Sequence, residues 1–305
     1  MLTYVFSKYT GFLTLVFVLI SMKNVEIKKV IKVLFLINLI ALLLHIVLYI
    51  IYLLLDSSSL NFIFRETMDG KTVRYSFFFI HPNVFGTYVF WTVAMYYYLY
   101  FDKLKIETYI FTIFLAIAMF VFPNSKTSAL TILFLIILVL LAKKNIKIPS
   151  IKIVYFLILI LSIVGILYIK VPLIAMIDEG LTGRISIGKI IYDNYGVNLF
   201  GADISKGIEN ALVNGKYYTN VNIVDSMYYS LLLNYGIVAL LIFSFLVFKY
   251  KNTGSNKIDR IFLLLLMIYG ISETTCLSPE IAFPILFLSD TFNYSLWKKC
   301  NAMYL

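Results

Sequence analysis

Residues 30–55 read VIKVLFLINLIALLLHIVLYIIYLLL, and Lys32 is the one charged side chain among them. A helix of that length, at about 1.5 Å per residue, outreaches the ~30 Å hydrocarbon core of a bilayer. A soluble helix keeps a polar face, and this stretch has none. It reads as a membrane span, and it sets the terms for the rest of the chain. Working outward, further apolar runs lie at 2–21, 77–101, 108–123, 127–142, 151–169, 226–248, 261–273 and 281–297. Hydrophobic residues make up 61% of the 305 and charged residues 14%, where a soluble protein carries about 25% charged. The mean hydropathy is +0.92. A water-soluble domain, a disordered tail and a disulfide-stapled module are all excluded. The expectation is an all-α, polytopic helical bundle forming one transmembrane domain over 1–305, with about nine spans and a long loop at 170–225 holding short helices.

The formal charge of +10 would suggest nucleic acid in a soluble protein. Here the excess lies in short loops between spans, where basic residues set orientation, so no nucleic-acid partner is expected. Placing 22–29, 102–107, 143–152, 249–260 and the tail in the cytoplasm puts most Lys inside. It leaves Lys8, Arg65, Lys71, Arg74, Lys126, Lys170, Arg184, Lys189, Lys206 and Lys216 outside. The stretch 108–142 must then be a hairpin turning at Pro123-Asn124-Ser125-Lys126, and 261–297 must divide at Ser278-Pro279. The N-terminus lies outside as a retained span, the C-terminus inside. An odd count of this sense fits helices missing ahead of residue 1. Cys276 and Cys300 fall on opposite sides, so no disulfide is expected. The cysteines and two histidines have no zinc-type spacing, so neither metal nor cofactor is expected.

Three of the four arginines, Arg65, Arg74 and Arg184, fall outside, against the positive-inside trend. Arginine grips phosphate with a planar fork that lysine lacks, which points to an outward site for an anionic ligand. The plain alternative is pairing with Glu66, Asp69, Asp178 or Asp193. Arg184 stands in Leu181-Thr182-Gly183-Arg184-Ile185, ahead of Ile187, Ile190 and Ile191. That spacing predicts a short amphipathic helix, capped by Thr182, with Arg184 at its N-terminus. Asp178-Glu179 reads as loop solvation. His81-Pro82-Asn83-Val84-Phe85-Gly86 opens the third span, with His81 a candidate base and Asn83 a candidate ligand, or simply a Pro-initiated helix start. His45, alone in mid-span, reads as a packing residue. Lys126 tips the tight hairpin. Asp225, where the long loop re-enters the membrane, is the best carboxylate for activating a hydroxyl; an N-cap is its ordinary alternative. Glu273 and Glu280 read as marks of a hairpin tip.

His81-Pro82-Asn83-x-Phe85-Gly86, Ser125-Lys126-Thr127, Gly183-Arg184, Leu199-Phe200-Gly201, Asp225-Ser226-x-Tyr228 and Leu232-Leu233-Asn234-Tyr235-Gly236 occur in that order. Together they resemble the Wzy-type polysaccharide polymerases of capsule and exopolysaccharide clusters in low-GC Gram-positive bacteria, relatives of the O-antigen ligases. The resemblance implies a GT-C-like, metal-independent inverting glycosyltransferase in the bacterial cytoplasmic membrane. Its active site would face outward and join undecaprenyl-pyrophosphate-linked oligosaccharide repeat units. It implies that Arg184 holds pyrophosphate and that Lys126 stands at an anion-contact position; the residues themselves add Arg74, Arg65 and Asn83 as substrate-binding candidates and Asp225 and His81 as catalytic ones. Partners would be the lipid-linked oligosaccharide, membrane lipid, and flippase and chain-length regulator proteins. Two alternatives stay open: ligase-like transfer to another acceptor, and a flippase of lipid-linked oligosaccharide. The ligases tend to carry a functional His where this chain has Asp225, and the chain is shorter than most relatives.

Overall fold

The computed structural model describes residues 7–55, 62–67, 70–250 and 257–293. The fold is all-α in frame, with two small β-hairpins, and divides into two compact units: Glu26–Lys147, and Met1–Val25 with Ile148–Leu305.

In the Glu26–Lys147 unit, the apolar run that opened the chain forms α2 (Ile27–Leu55), following α1 (Gly11–Ser21) of the other unit. Only Ile31, Asn38, Leu42 and Tyr49 of α2 are buried, a narrow stripe at helical spacing. Ile37, Ile40 and Leu44 on the other faces are each 57% exposed. Such a surface is stable against lipid and not against water. The stripe packs on α3 (Pro82–Leu99), whose Phe85, Phe90, Trp91, Met95 and Tyr97 form the core of this unit. α4 (Ile106–Val121) and α5 (Lys126–Lys143) pack as the expected hairpin around 122–125. Gly86 of α3 admits Ser125 and Ser128: a Cβ there would stand 2.4 Å from Ser125 Oγ. A hairpin that the sequence reading did not foresee, β1 (Phe62–Thr67) and β2 (Gly70–Tyr75), pairs Phe62 with Tyr75 and Arg65 with Thr72.

In the other unit, α6 (Ile151–Leu167) turns by 114° into α7 (Pro172–Gly180). Then follow α8 (Arg184–Tyr195) and an antiparallel hairpin of β3 (Ile208–Val213) and β4 (Lys216–Val221). The expected span at 226–248 is broken. It begins as α9 (Met227–Tyr229), widens into a π turn over Ser230–Asn234, and restarts as α10 (Gly236–Lys249). Gly236 sits at φ +88, and a Cβ on it would lie 2.2 Å from Gly201 N. A Cβ on Gly201, at φ +85, would lie 1.9 Å from Asn234 O. Only glycine permits this backbone-on-backbone approach. Ile237 N and Val238 N, orphaned at the start of α10, donate to Asn198 O and Leu199 O. The middle of the long loop, 198–201, is thereby docked onto the break.

α11 (Lys257–Tyr269) is buried from Ile261 to Met267 on every face and packs on α6. The helix expected over 281–297 is instead a 3-10 segment, Phe283–Ser289, ending in α12 (Asp290–Asn293), and residues beyond 293 lie outside those described. Pro284 near its start removes a backbone donor. Among the described residues, α2 and α5 suffice by length and composition to cross a membrane singly, and the bent pair α6–α7 passes the same test only when its two arms are taken together, as a broken span or a re-entrant loop. This marks the chain as membrane-associated.

Candidate functional site

The site is built where α7 meets α8. Pro172 starts α7, whose chain reverses through Thr182 at φ 59 and Gly183 at φ 83. Gly183 is held there by space as well as torsion, since a Cβ would meet Tyr218 Oη of β4 at 2.8 Å. The reversal lays Asp178 beneath the first turn of α8. Its Oδ1 accepts from Ile185 N at 2.7 Å and Ser186 N at 3.2 Å, and its Oδ2 accepts from Ser186 Oγ. Asp178 is thus a buried cap satisfying orphan amides from outside the helix, not the solvated loop acid the sequence suggested. Thr182 is not the cap. Glu179 does face solvent and pairs with Lys216 Nζ at 2.8 Å, which holds its carboxyl below the usual range.

With its helix N-terminus already supplied with an anion, Arg184 turns elsewhere. Nε donates to Ser272 O at 2.6 Å, Nη1 to Thr182 Oγ1 at 2.6 Å and to Leu181 O at 3.1 Å, and Nη2 to Glu273 Oε1 at 3.0 Å. The Arg184 and Glu273 side chains are only 6% and 11% exposed. A charge that deep requires a partner, and Glu273 is it. Sequence reasoning missed Glu273, because its partner stands 89 residues away. The available signal was economy: a carboxylate in an almost chargeless apolar stretch needs a reason.

Asp225 lies half-buried, close enough for its charge to act on Glu273. It does not cap α9: the N-cap is Ser226, whose Oγ donates to Gly270 O. Two cavities adjoin this charged group. One, of about 320 Å³, is walled by Ile158, Leu161, Val164, Ile174, Ile177 and Ile271, with Arg184 at its edge. The other, of about 220 Å³, mixes apolar walls, Ile223, Val224 and Leu277, with hydroxyl and amide side chains, Thr274, Thr275 and Asn234 among them. The run 271–275 therefore passes from an apolar cavity, through the groups that hold Arg184, to a second one that carries more hydroxyl and amide side chains.

The remaining candidates belong to the Glu26–Lys147 unit. Arg74 is buried and clamps the hairpin tip: Nε donates to Pro123 O at 3.0 Å, and Nη2 to Asn124 O at 3.3 Å and Asn83 Oδ1 at 2.6 Å. His81 caps α3, its Nδ1 accepting from Asn83 N at 3.1 Å. Lys126, the first residue of α5, is exposed. Arg65 lies on β1 opposite Thr72, its side chain outside those described. His45 stacks on Phe79 and its Nδ1 meets Phe77 O at 3.2 Å. The structure so brings together Arg74, Asn83 and His81 in one unit; in the other, Arg184 pairs with Glu273, and the Asp225 charge acts on that same carboxylate.

Neither a family model, nor a curated protein, nor a solved structure matches the chain.

Proposed function

We propose that the chain is a multi-pass glycosyltransferase of the Wzy kind in the bacterial cytoplasmic membrane, a GT-C-like bundle of about nine spans. It polymerises undecaprenyl-pyrophosphate-linked oligosaccharide repeat units at the outer face. The observation that carries this reading is the run 271–275. It places in succession an apolar cavity, a buried guanidinium paired with Glu273, on whose carboxylate the Asp225 charge acts, and a second cavity where hydroxyl and amide side chains join the apolar walls. A polyprenyl tail, a pyrophosphate and a sugar require those surroundings in that order.

In this reading the lipid pyrophosphate takes the place of Glu273 on Arg184 Nη2, forming charge-assisted bonds that strengthen as the leaving group gains charge. A hydroxyl oxygen of the incoming repeat unit attacks the anomeric carbon of the growing chain, on the side away from the pyrophosphate. The bond from that carbon to the pyrophosphate oxygen breaks, and its electron pair leaves with the pyrophosphate. The hydroxyl proton passes to Asp225, the more accessible of the two carboxylates. His81 is given no step, since its Nδ1 is engaged in capping α3. Arg74 and Asn83 keep the hairpin tip in place.

The test is the size of lipid-linked and surface glycan in a strain lacking the protein, complemented with wild type or Arg184→Lys at equal protein level. Single repeat units outside the cell, with long chains restored by wild type only, are expected. Normal polymer from Arg184→Lys removes the arginine fork from the mechanism. Repeat units trapped inside would identify an exporter. Long lipid-linked chains that never reach an acceptor would identify a ligase.

A further inference from the structure

α7 carries its side chains the wrong way round for a helix in water. Its acid Asp178 is 5% exposed and caps α8, while Leu173 and Met176 are 61% and 64% exposed and Ile177 is exposed beside them. Positions 173, 176 and 177 are neighbours at helical spacing, so these three form one apolar stripe. Toward the α6–α7 corner the stripe continues through Val171, Tyr168 and Leu167, all exposed. Lys170, also exposed, is the one charged residue in 167–177. A second apolar patch is tied to the same corner. Asn214, at the tip of the β3–β4 hairpin, donates from Nδ2 to Ile169 O at 3.0 Å, and Lys216 Nζ reaches Glu179 of α7 at 2.8 Å. Beside this tip Leu212 and Tyr217 pair across the strands, both exposed, Tyr217 at 80%. The next pair on that face, Asn210 and Thr219, lies about 7 Å farther from the tip and is polar.

What covers these patches follows from the place of the corner on α6. That helix has 17 residues; at about 25 Å it nearly matches the ~30 Å hydrocarbon core. Its exposed Phe156, Leu157 and Ile160 run on into the stripe at Leu167. After the 114° bend, the nine residues of α7 run about 12 Å sideways and about 5 Å back, so they add nothing to a crossing. The corner therefore stands where α6 leaves the acyl chains. Exposed apolar side chains with tyrosine and lysine among them suit the headgroup boundary and not water. We propose that α7 and the β3–β4 tip form a collar seated in the headgroup–acyl boundary of the outer leaflet. Leu173, Met176, Leu212 and Tyr217 reach among the acyl chains, and Lys170 reaches toward the headgroups. The collar holds the 170–225 segment against the bilayer. It also fixes the depth of the apolar cavity between α6 and α7, of which the exposed Leu161 and Ile177 are walls. The proposal rests on α6 crossing the bilayer, and not on glycosyl transfer.

The full-length chain is placed in nanodiscs of phosphatidylcholine and phosphatidylglycerol, with one cysteine at a time carrying the fluorophore NBD. Cys300→Ser removes one native thiol, and Cys276 is buried. Met176→Cys and Tyr217→Cys test the collar, Thr219→Cys is the aqueous control and Leu157→Cys the control on α6; all four sites are exposed, so the fold tolerates the label. Quenching is measured with lipids bearing a nitroxide at acyl carbon 5 and with iodide in the buffer. The lipid nitroxide is expected to quench the labels at 176 and 217 at least fivefold more than the label at 219, and iodide to show the reverse order. Iodide quenching at 176 or 217 equal to that at 219 would place the patch in water and overturn the collar. Shielding of both from lipid nitroxide and iodide alike would mean that protein, a second copy or a partner, covers the patch, and overturns it as well. A label at 157 quenched by lipid while that at 176 is not overturns the collar alone. A label at 157 untouched by lipid overturns the α6 crossing and the collar together. None of these outcomes depends on polymer being made.

Discussion

Breaking the Arg184–Glu273 pair from either side should give unequal losses, and breaking it from both sides should recover part of them. Arg184→Met removes all four guanidinium hydrogen bonds and strands a carboxylate that is 11% exposed. Stranding a buried charge costs about 3–5 kcal/mol. Glu273→Gln keeps an oxygen for Nη2 but takes away its charge, a loss of about 1–2 kcal/mol as a charged hydrogen bond becomes a neutral one. In the double variant neither charge is left alone, so the loss should fall short of the sum by about 1–3 kcal/mol. The assay is reversible unfolding in mixed micelles, followed by far-UV circular dichroism on wild type, both single variants and the double. Additivity within about 0.5 kcal/mol would refute the pairing. The same four proteins separate fold from chemistry: a double variant that recovers stability but makes no polymer assigns the arginine to catalysis beyond its structural part.

Gly201→Ala should destabilise by at least about 2 kcal/mol, since it adds a clash with Asn234 O to an unfavourable φ. Gly196→Ala, at φ +66 and ψ −165 with open space around it, isolates a purely torsional loss of about 1–3 kcal/mol, and a loss at Gly201 no larger than that would refute the docking role. The Asp203 carboxyl, held down to about 2 by Lys8 and Ser205, contributes stability that is complete above its unfolded value near 4 and is lost as pH falls toward 2. A carboxyl carbon-13 titration with its midpoint near 4 would contradict this. A cysteine placed at exposed Asn220 should react with an impermeant maleimide on intact cells, and protection there would overturn the outward placement of the 170–225 segment.

The parts of the fold legible in the sequence are those governed by length and periodicity. α2 follows from an apolar run with nothing to interrupt it, and the α4–α5 hairpin from Pro123-Asn124 between two such runs. α8 followed from its isoleucines, of which Ile185, Ile190 and Ile191 are buried. Features set by distant partners were not legible. The break at Ser230–Asn234 depends on Gly201 meeting Gly236, and no local pattern encodes that approach. The two β-hairpins lie in segments with too few residues for alternation to rise above composition. At the site, Arg184 stood out by type and position, whereas Glu273 and Asp178 acquire meaning only when the chain brings them to it. A capping residue on the preceding helix, six positions before the helix it caps, falls outside the local rule that favoured Thr182.

The burial of α11 on every face from Ile261 to Met267 has a consequence for how the protein is made. At thirteen residues, about 20 Å long, it is too short to rest stably across a bilayer on its own. Exposed to lipid, its ends would leave backbone groups without water or partners. Its neighbours α6 and the Met227–Tyr228 step, which meets Gly270 O and Met267 O, precede it in the chain, while Phe283–Ser289, whose Phe283 meets Phe262, follows it. α6 and the Met227–Tyr228 step have left the ribosome before α11 emerges. Insertion of α11 is therefore a docking event onto that half of its slot, closed when Phe283–Ser289 follows, and substitutions in the first half should be read out first as failed biogenesis of everything C-terminal to residue 257.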